Sequence, residues 1–395
     1  MNNKEWETIN TKINYNNNEY TCTLTPASQM KFNGSEHDIF RDQSYNNKGI
    51  SSKSSDEVTH AVNLWISDIQ DDKQKSLFKG IRHGVISPFA LEKGSQKRED
   101  GAKNRAKEVV TAALFSQPDL YKKALNNETV TLKLSSTSLL TDLWGEASMI
   151  EDQVSAWKSL GENKVNKLNV RNENGQLQEV KVKLDVAIFN FGVNEIALKL
   201  PASQKNMQNL NSSGLTKLLG DNFSNNSKLN GWVGDYLSKN PDATNKEKII
   251  ILSEQVKTIW NQKTHLKDGN EPYKIAQRIS MLSHEIGVVP CWNCKSGKDR
   301  TRMLDTEIKR EAIKVHQGHS LSKPGHKLVD NDKKLFQEIL MHSGNYEVQK
   351  QNTGVGGNKV TRDLPLIFKP IQLSYKERID DNFIWKKIQG LSSIV

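Results

Sequence analysis

Apolar and polar positions change their period several times along the chain, and each change marks an expected element. Over Val58–Ile69 (VTHAVNLWISDI) apolar residues recur at helical spacing, whereas Leu77–Phe89 (LFKGIRHGVISPF) has the glycine punctuation of a turn region. Residues 101–115 predict a helix with Ala106, Val109, Val110, Ala113 and Leu114 on one face. Between Thr129 and Phe191 the period falls to two, and Asn174-Gly175 lies between alternating runs. Both residues tolerate the positive φ of a type I′ turn, so a hairpin and a mixed or antiparallel sheet are expected here. Residues 203–248 are rich in Asn, Ser, Lys and Gly and predict an irregular surface insertion. From Lys246 the pattern is helical again, with Ile275, Ile279, Leu282 and Ile286 on one face, and Leu304, Ile308, Ala312 and Val315 mark a later helix that begins near Asp299–Arg302. No repeat at a solenoid period occurs. The pattern predicts an α+β fold, a central sheet with flanking helices and irregular Asn/Ser-rich insertions. Residues 1–60, dense in Asn, Ser and Thr, are expected to be loosely ordered or peripheral, and residues 61–395 to form a catalytic domain.

Composition narrows the function classes. No run approaches the ~18–20 apolar residues of a membrane-spanning helix. The first twenty residues lack the apolar segment of an ordinary export signal. Three cysteines, Cys22, Cys291 and Cys294, make no disulfide framework and point to a reducing compartment. Lys and Arg exceed Asp and Glu by 56 to 46, a net charge of +10, which favours polyanionic partners. The aromatic residues show no stacking pattern for bases, so nucleic-acid binding would rest on charge alone and is not expected.

The chemistry concentrates in Cys291-Trp292-Asn293-Cys294-Lys295-Ser296-Gly297-Lys298-Asp299-Arg300-Thr301, between a short β-prone run and the later helix. A strand, tight loop and helix would put Cys294 at a helix N-terminus, where unpaired N–H groups and the positive end of the dipole favour an anion, whether thiolate or phosphate. Gly297 would let successive N–H groups curl inward, and Arg300, six positions after the cysteine, could return its fork to two phosphoryl oxygens. Ser296 or Thr301 could add a hydroxyl. Asp299 is the first choice for a general acid, with Asp185, Asp305 or another carboxylate brought in by the fold as alternatives, and with a helix cap as its plain role.

The string NCKSGKDRT resembles the cysteine-dependent phosphatases, and most of all the bacterial type III effector inositol phosphate phosphatases (the SopB/SigD/IpgD family), with the eukaryotic inositol polyphosphate 4-phosphatases more distant. FNFGVNEIALK around Asn190–Glu195 and NTGVGGNKV around Asn352–Val360 resemble further stretches of that family. The resemblance implies a phosphatase fold, phosphoinositides or soluble inositol polyphosphates as substrates, and no metal or cofactor. It also implies Cys294 as nucleophile, Arg300 as phosphate clamp, and Lys295 and Lys298 as ligands for other ring phosphates. It further implies a virulence effector secreted through a type III system into the host cytoplasm and peripheral at anionic host membranes, with a secretion chaperone and a host small GTPase as further partners of longer members. Arg302 stands where the family pattern has glycine, and would add a contact or crowd the first helical turn.

Other readings stay open at this level. Cys291 and Cys294 also fit C-x-x-C, a redox pair or half a zinc site, or could simply be packed, and a reversible disulfide between them would protect the nucleophile. Arg82-His83 would touch phosphate or support the loop, but a lone basic pair in a turn is more often solvated or structural. Asn190, Asn194 and Glu195 would buttress the loop, and Lys359 and Arg362 would meet a membrane or a distal phosphate or, more plainly, lie in an exposed basic turn. With the same phosphocysteine, another inositol hydroxyl in place of water would give phosphotransfer. A non-catalytic phosphoinositide- or GTPase-binding effector would explain the charge without chemistry.

Overall fold

In the computed structural model, residues 5–40, 45, 47–52, 58, 60–142, 145–161, 164–193, 207–266, 271–325, 327–354 and 378–388 are described. Asn194, Glu195, Lys359 and Arg362 lie outside them. Eight strands form one mixed sheet in the order β1-β2-β3-β4-β8-β5-β7-β6: β1 Ile9–Tyr15, β2 Asn18–Pro26, β3 Trp65–Gln70, β4 Ser76–His83, β5 Thr129–Ser138, β6 Val165–Arg171, β7 Leu177–Asn190 and β8 Val289–Asn293. The centre, β4-β8-β5-β7, is parallel, and antiparallel hairpins extend it on both sides.

Helices cover both faces. On one lie α1 (Gln96–Phe115), α2 (Pro118–Leu125) and α3 (Ala147–Leu160), where Val109, Ala113 and Trp157 pack with Ile81, Leu134, Val182 and Cys291. On the other lie α4 (Gln208–Leu219), α5 (Gly231–Lys239), α6 (Lys246–Asn261), α7 (Lys274–Glu285), α8 (Asp299–His316) and α9 (Asp330–His342), whose Leu218, Val256, Ile279, Leu304 and Phe336 form a second core with Phe78, Phe189 and Trp292. Two short helices, α10 (Asn345–Thr353) and α11 (Asn382–Ile388), follow among the described residues. Among the described residues no helix is long and apolar enough to cross a membrane.

Of the N-terminal stretch expected to be loosely ordered or peripheral, the described part is ordered and lies at the sheet edge, where β1 and β2 form a hairpin that buries Ile13, Tyr20, Cys22 and Leu24. Its asparagines are partly turn chemistry, since Asn16 and Asn17, both at positive φ, make the two-residue turn. Three expectations fail, each for a physical reason. Trp65–Gln70 is a strand rather than a helix, because Trp65–Ile69 is buried on both sides and has no alternation to show. Ser76–His83 is likewise a strand: Gly80 sits where Trp292 crosses it, and a Cβ there would lie 2.5 Å from the indole, so this glycine marks a close approach, not a turn. Residues 208–219 and 231–239 are helices rather than irregular insertion, and they bury Leu215, Leu218, Leu219, Trp232 and Val233 beneath an Asn/Ser-rich outer side.

The β6–β7 hairpin forms as expected, but its turn has three residues between Asn172 and Gln176, and of Asn174 and Gly175 only Gly175 (φ +74°) is left-handed. The type I turn with a following αL glycine wins over the two-residue form. Helix α1 and the helices from Lys246 onward form where periodicity placed them.

Candidate functional site at the Cys294 loop

The last residues of the four parallel strands share one row across the sheet, His83, Asn293, Ser138 and Asn190, so the chain leaves β8 at the carboxyl edge of its centre. There Cys294–Lys298 bridges β8 to the first turn of α8, the strand–loop–helix arrangement expected from the pattern. Cys294 is 2 % exposed. Gly297 has φ +68°, and a Cβ on it would lie 2.7 Å from Gly84 N and 2.8 Å from His83 C, so only glycine fits against the end of β4.

The carbonyls of Lys295, Ser296, Gly297 and Lys298 turn back into the protein. Val85 N donates to Lys295 O (3.2 Å), and Asn63 Nδ2 donates to Ser296 O (3.1 Å) and Gly297 O (2.9 Å). Arg82 Nη2 also donates to Gly297 O (3.1 Å), while Thr301 Oγ1 (2.8 Å) and Arg302 N (2.8 Å) donate to Lys298 O. In a planar trans peptide the carbonyl and the following N–H point opposite ways, so the N–H groups of residues 296–299 face away from these partners. Among the described residues, those of Lys295, Ser296 and Gly297 meet no acceptor.

Arg300 lies in electrostatic reach of the Cys294 sulfur. Its Nη1 donates to Leu139 O (2.9 Å) and Glu146 Oε2 (2.9 Å), and its Nη2 to Glu146 Oε1 (2.6 Å). Three of an arginine's five donors are thus committed, and the Nε–H and second Nη2–H, which lie parallel on one edge, meet no acceptor among the described residues. Burial works against its charge, but Glu146 and nearby Cys294 outweigh that and hold the guanidinium firmly protonated. The Cys294 sulfur also lies in electrostatic reach of the buried Arg82 guanidinium, whose pKa burial lowers.

The remaining candidates divide. Lys295 is exposed, with Nζ 4.6 Å from the centre of the Phe89 ring. Ser296 and Lys298 are half-buried. Asp299 opens the helix, and Gln349 Nε2 donates to its Oδ1 (2.9 Å). Thr301 is fully buried and spends its hydroxyl on the Lys298 carbonyl, so it closes the loop from behind instead of presenting the hydroxyl at the mouth. Asp305 is sealed: burial pushes its carboxyl up, but Lys309 and Arg82 outweigh this and hold it ionised, while Ser67 and Asn345 donate to it. Asp185 binds Lys217 and Trp232. These two therefore drop out as acids.

Cys291 packs with the α1–α3 core while Cys294 packs with the opposite one, and burial pushes the Cys291 thiol up to about 12. A protective disulfide between them does not fit sulfurs on opposite faces. Arg302 neither crowds the helix nor reaches the mouth: fully buried, it donates to Gln349 Oε1 (2.7 Å) and Leu340 O (2.6 Å). His83 is buried behind Gly297, its Nδ1 2.6 Å from Gly84 O, and burial brings its pKa down to about 4.

Sequence reasoning missed Glu146, Asn63 and the inner face of α10. A readable signal existed only for the last, since Asn345, Gln349 and Asn352 recur at helical spacing and are all buried.

The whole chain, residues 1–395, matches the family model of the enterobacterial virulence protein IpgD. It is 48 % identical over 402 residues to the inositol phosphate phosphatase SopB of Salmonella typhimurium, covering 100 % of this chain and 70 % of that protein. It is also 48 % identical over 400 residues to the inositol phosphate phosphatase IpgD of Shigella flexneri, covering 100 % and 73 %. In three dimensions it resembles the crystal structure of a Legionella phosphoinositide phosphatase, SidF, with a TM-score of 0.66 at 12 % identity, covering 98 % of this chain and 75 % of that one, a likeness of fold. With a match over its full length and relatives sharing nearly half its residues, the chain belongs to the IpgD/SopB family of enterobacterial virulence proteins.

Proposed function

We propose that the protein is a cysteine-dependent phosphatase of phosphoinositides or soluble inositol polyphosphates. The observation that carries the reading is the loop itself: the carbonyls of Lys295–Lys298 are bound behind it, the N–H groups that follow them face outward, and with them stand a thiol and an arginine edge with two donors that meet no acceptor among the described residues. Cys294 Sγ attacks phosphorus in line and forms the S–P bond as the ring oxygen leaves with a proton from Asp299. The loop N–H groups and Arg300 hold the equatorial oxygens, whose charge grows in the transition state. Water then cleaves the phosphocysteine. Gln349 fixes the Asp299 carboxyl.

The names of the relatives support inositol phosphates as the substrate class, and the charge agrees: Lys295 and Lys298 flank the loop, and a ring with several phosphates supplies counter-charges that a monophosphate cannot. In this reading the protein acts inside the host cell after type III delivery, at the anionic membrane that holds its substrate.

Phosphate release from a panel of phosphoinositides and inositol polyphosphates tests the reading. Cys294→Ser should abolish release while retaining substrate binding, and the native enzyme quenched during turnover should carry one phosphoryl group on Cys294. Turnover by Cys294→Ser would refute the mechanism. A positional isomer formed without phosphate release would assign the second half-reaction to a ring hydroxyl instead of water.

A further inference from the structure

Asn63 comes from the stretch just before β3, far from the loop in sequence, yet it is fully buried against it. Its amide is saturated. Nδ2 spends both protons on Ser296 O and Gly297 O, and Oδ1 accepts from Trp65 Nε1 (2.6 Å) and Asn352 Nδ2 (2.9 Å). An indole N–H can only donate, so the amide's orientation is forced. The backbone is held as well: Asn63 sits at φ +50°, a left-handed conformation that asparagine tolerates, and its N–H donates to Ile50 O (2.8 Å).

We infer that Asn63 is a positioning residue for catalysis, setting the peptide planes whose N–H groups meet the substrate phosphate; this rests on the phosphatase reading above. Fixing the Ser296 and Gly297 carbonyls inward turns the N–H groups of Gly297 and Lys298 outward, because each carbonyl and the following N–H belong to one planar unit. Were these planes to flip, carbonyl oxygens would face the phosphate, and attraction would become repulsion. Two layers hold the amide in place. Trp65 stacks on Trp6 (centroids 5.2 Å apart, planes 19°), so the N-terminal residues brace the clamp, and Asn352 ties it to α10.

Two variants of the full chain separate orientation from packing. Asn63→Asp is isosteric but sets an oxygen that cannot donate against two carbonyls. Asn63→Gly keeps the left-handed backbone without strain and removes only the amide. The measurements are kcat and KM for phosphate release, competitive inhibition by inorganic phosphate, and the thermal unfolding temperature. A misdirected donor to a phosphoryl oxygen should lower kcat about 10²-fold, as loss of an oxyanion donor does elsewhere, with a smaller change in KM and weaker phosphate inhibition in both folded variants. Asn63→Gly with native kcat and phosphate inhibition, whatever its unfolding temperature, would overturn the inference and leave the phosphatase reading standing. A native protein that neither binds nor releases phosphate would remove that reading, and the inference with it.

Discussion

Glu146→Gln tests how the fold aims Arg300. Glu146 stands at the start of α3, accepts both Nη groups of Arg300 (2.9 and 2.6 Å), and also takes Thr141 N (2.8 Å). The pair is largely withdrawn from water, with side-chain exposures of 23 % and 15 %. Glutamine has nearly the same shape, but one oxygen becomes an NH₂ group, which faces a guanidinium donor whichever way the amide turns, and Thr141 N as well when it takes the place of Oε2. One charge-assisted hydrogen bond is lost, worth ~1.5–3 kcal/mol, and the arginine charge loses its counter-ion. Since one pairing survives, the expected loss of stability is about 2 kcal/mol. The freed guanidinium can then rotate away from the edge-on geometry that, in the proposed mechanism, presents Nε and Nη2 to a phosphoryl group. A comparable penalty on the aligned state lowers turnover about 10–100-fold. The assay is kcat and KM for phosphate release on one inositol polyphosphate, alongside urea unfolding. Arg300→Lys serves as the reference, keeping the charge without the fork. Native turnover in Glu146→Gln, with a measured loss of stability, would show that Arg300 reaches its working position without Glu146 and would refute the reasoning.

Gly297→Ala places a methyl against the backbone of His83 and Gly84 at a left-handed φ, so it should cost upwards of about 2 kcal/mol and abolish phosphate release; an active, normally stable variant would show that the loop has room to move. His83 predicts a pH dependence of stability. Its folded pKa near 4 lies below the ordinary 6.5, so the unfolded chain binds the extra proton first. The stabilisation is complete above pH 6.5 and is lost as pH falls toward 4, in total on the order of 3 kcal/mol. Urea unfolding of the native protein and His83→Gln across that window should give a shallower pH slope for the variant, and equal slopes would contradict the assignment.

The local sequence determined the candidate loop and its immediate frame. A β-prone run, a loop with one glycine and a helix with an apolar stripe are each written within a few residues, and together they put Cys294 and Arg300 on one turn of backbone. The helices α1 and α6–α8 were legible for the same reason, since a one-sided helix must repeat its apolar positions every three or four residues. Strands β3 and β4 were not legible, because burial on both faces erases alternation and a glycine needed for close packing looks like one needed for a turn. The asparagines of β1–β2 looked like disorder because composition averages over a two-residue turn that uses them for their backbone. Only the tertiary structure decided what holds the site. Glu146 reaches Arg300 from another helix, Asn63 reaches the loop across more than two hundred residues, and α10 closes it from near the far end of the described chain. Such partners leave no periodic trace, since a hydrogen bond needs one atom in one place, and that place is fixed only when the sheet brings distant segments to the same edge.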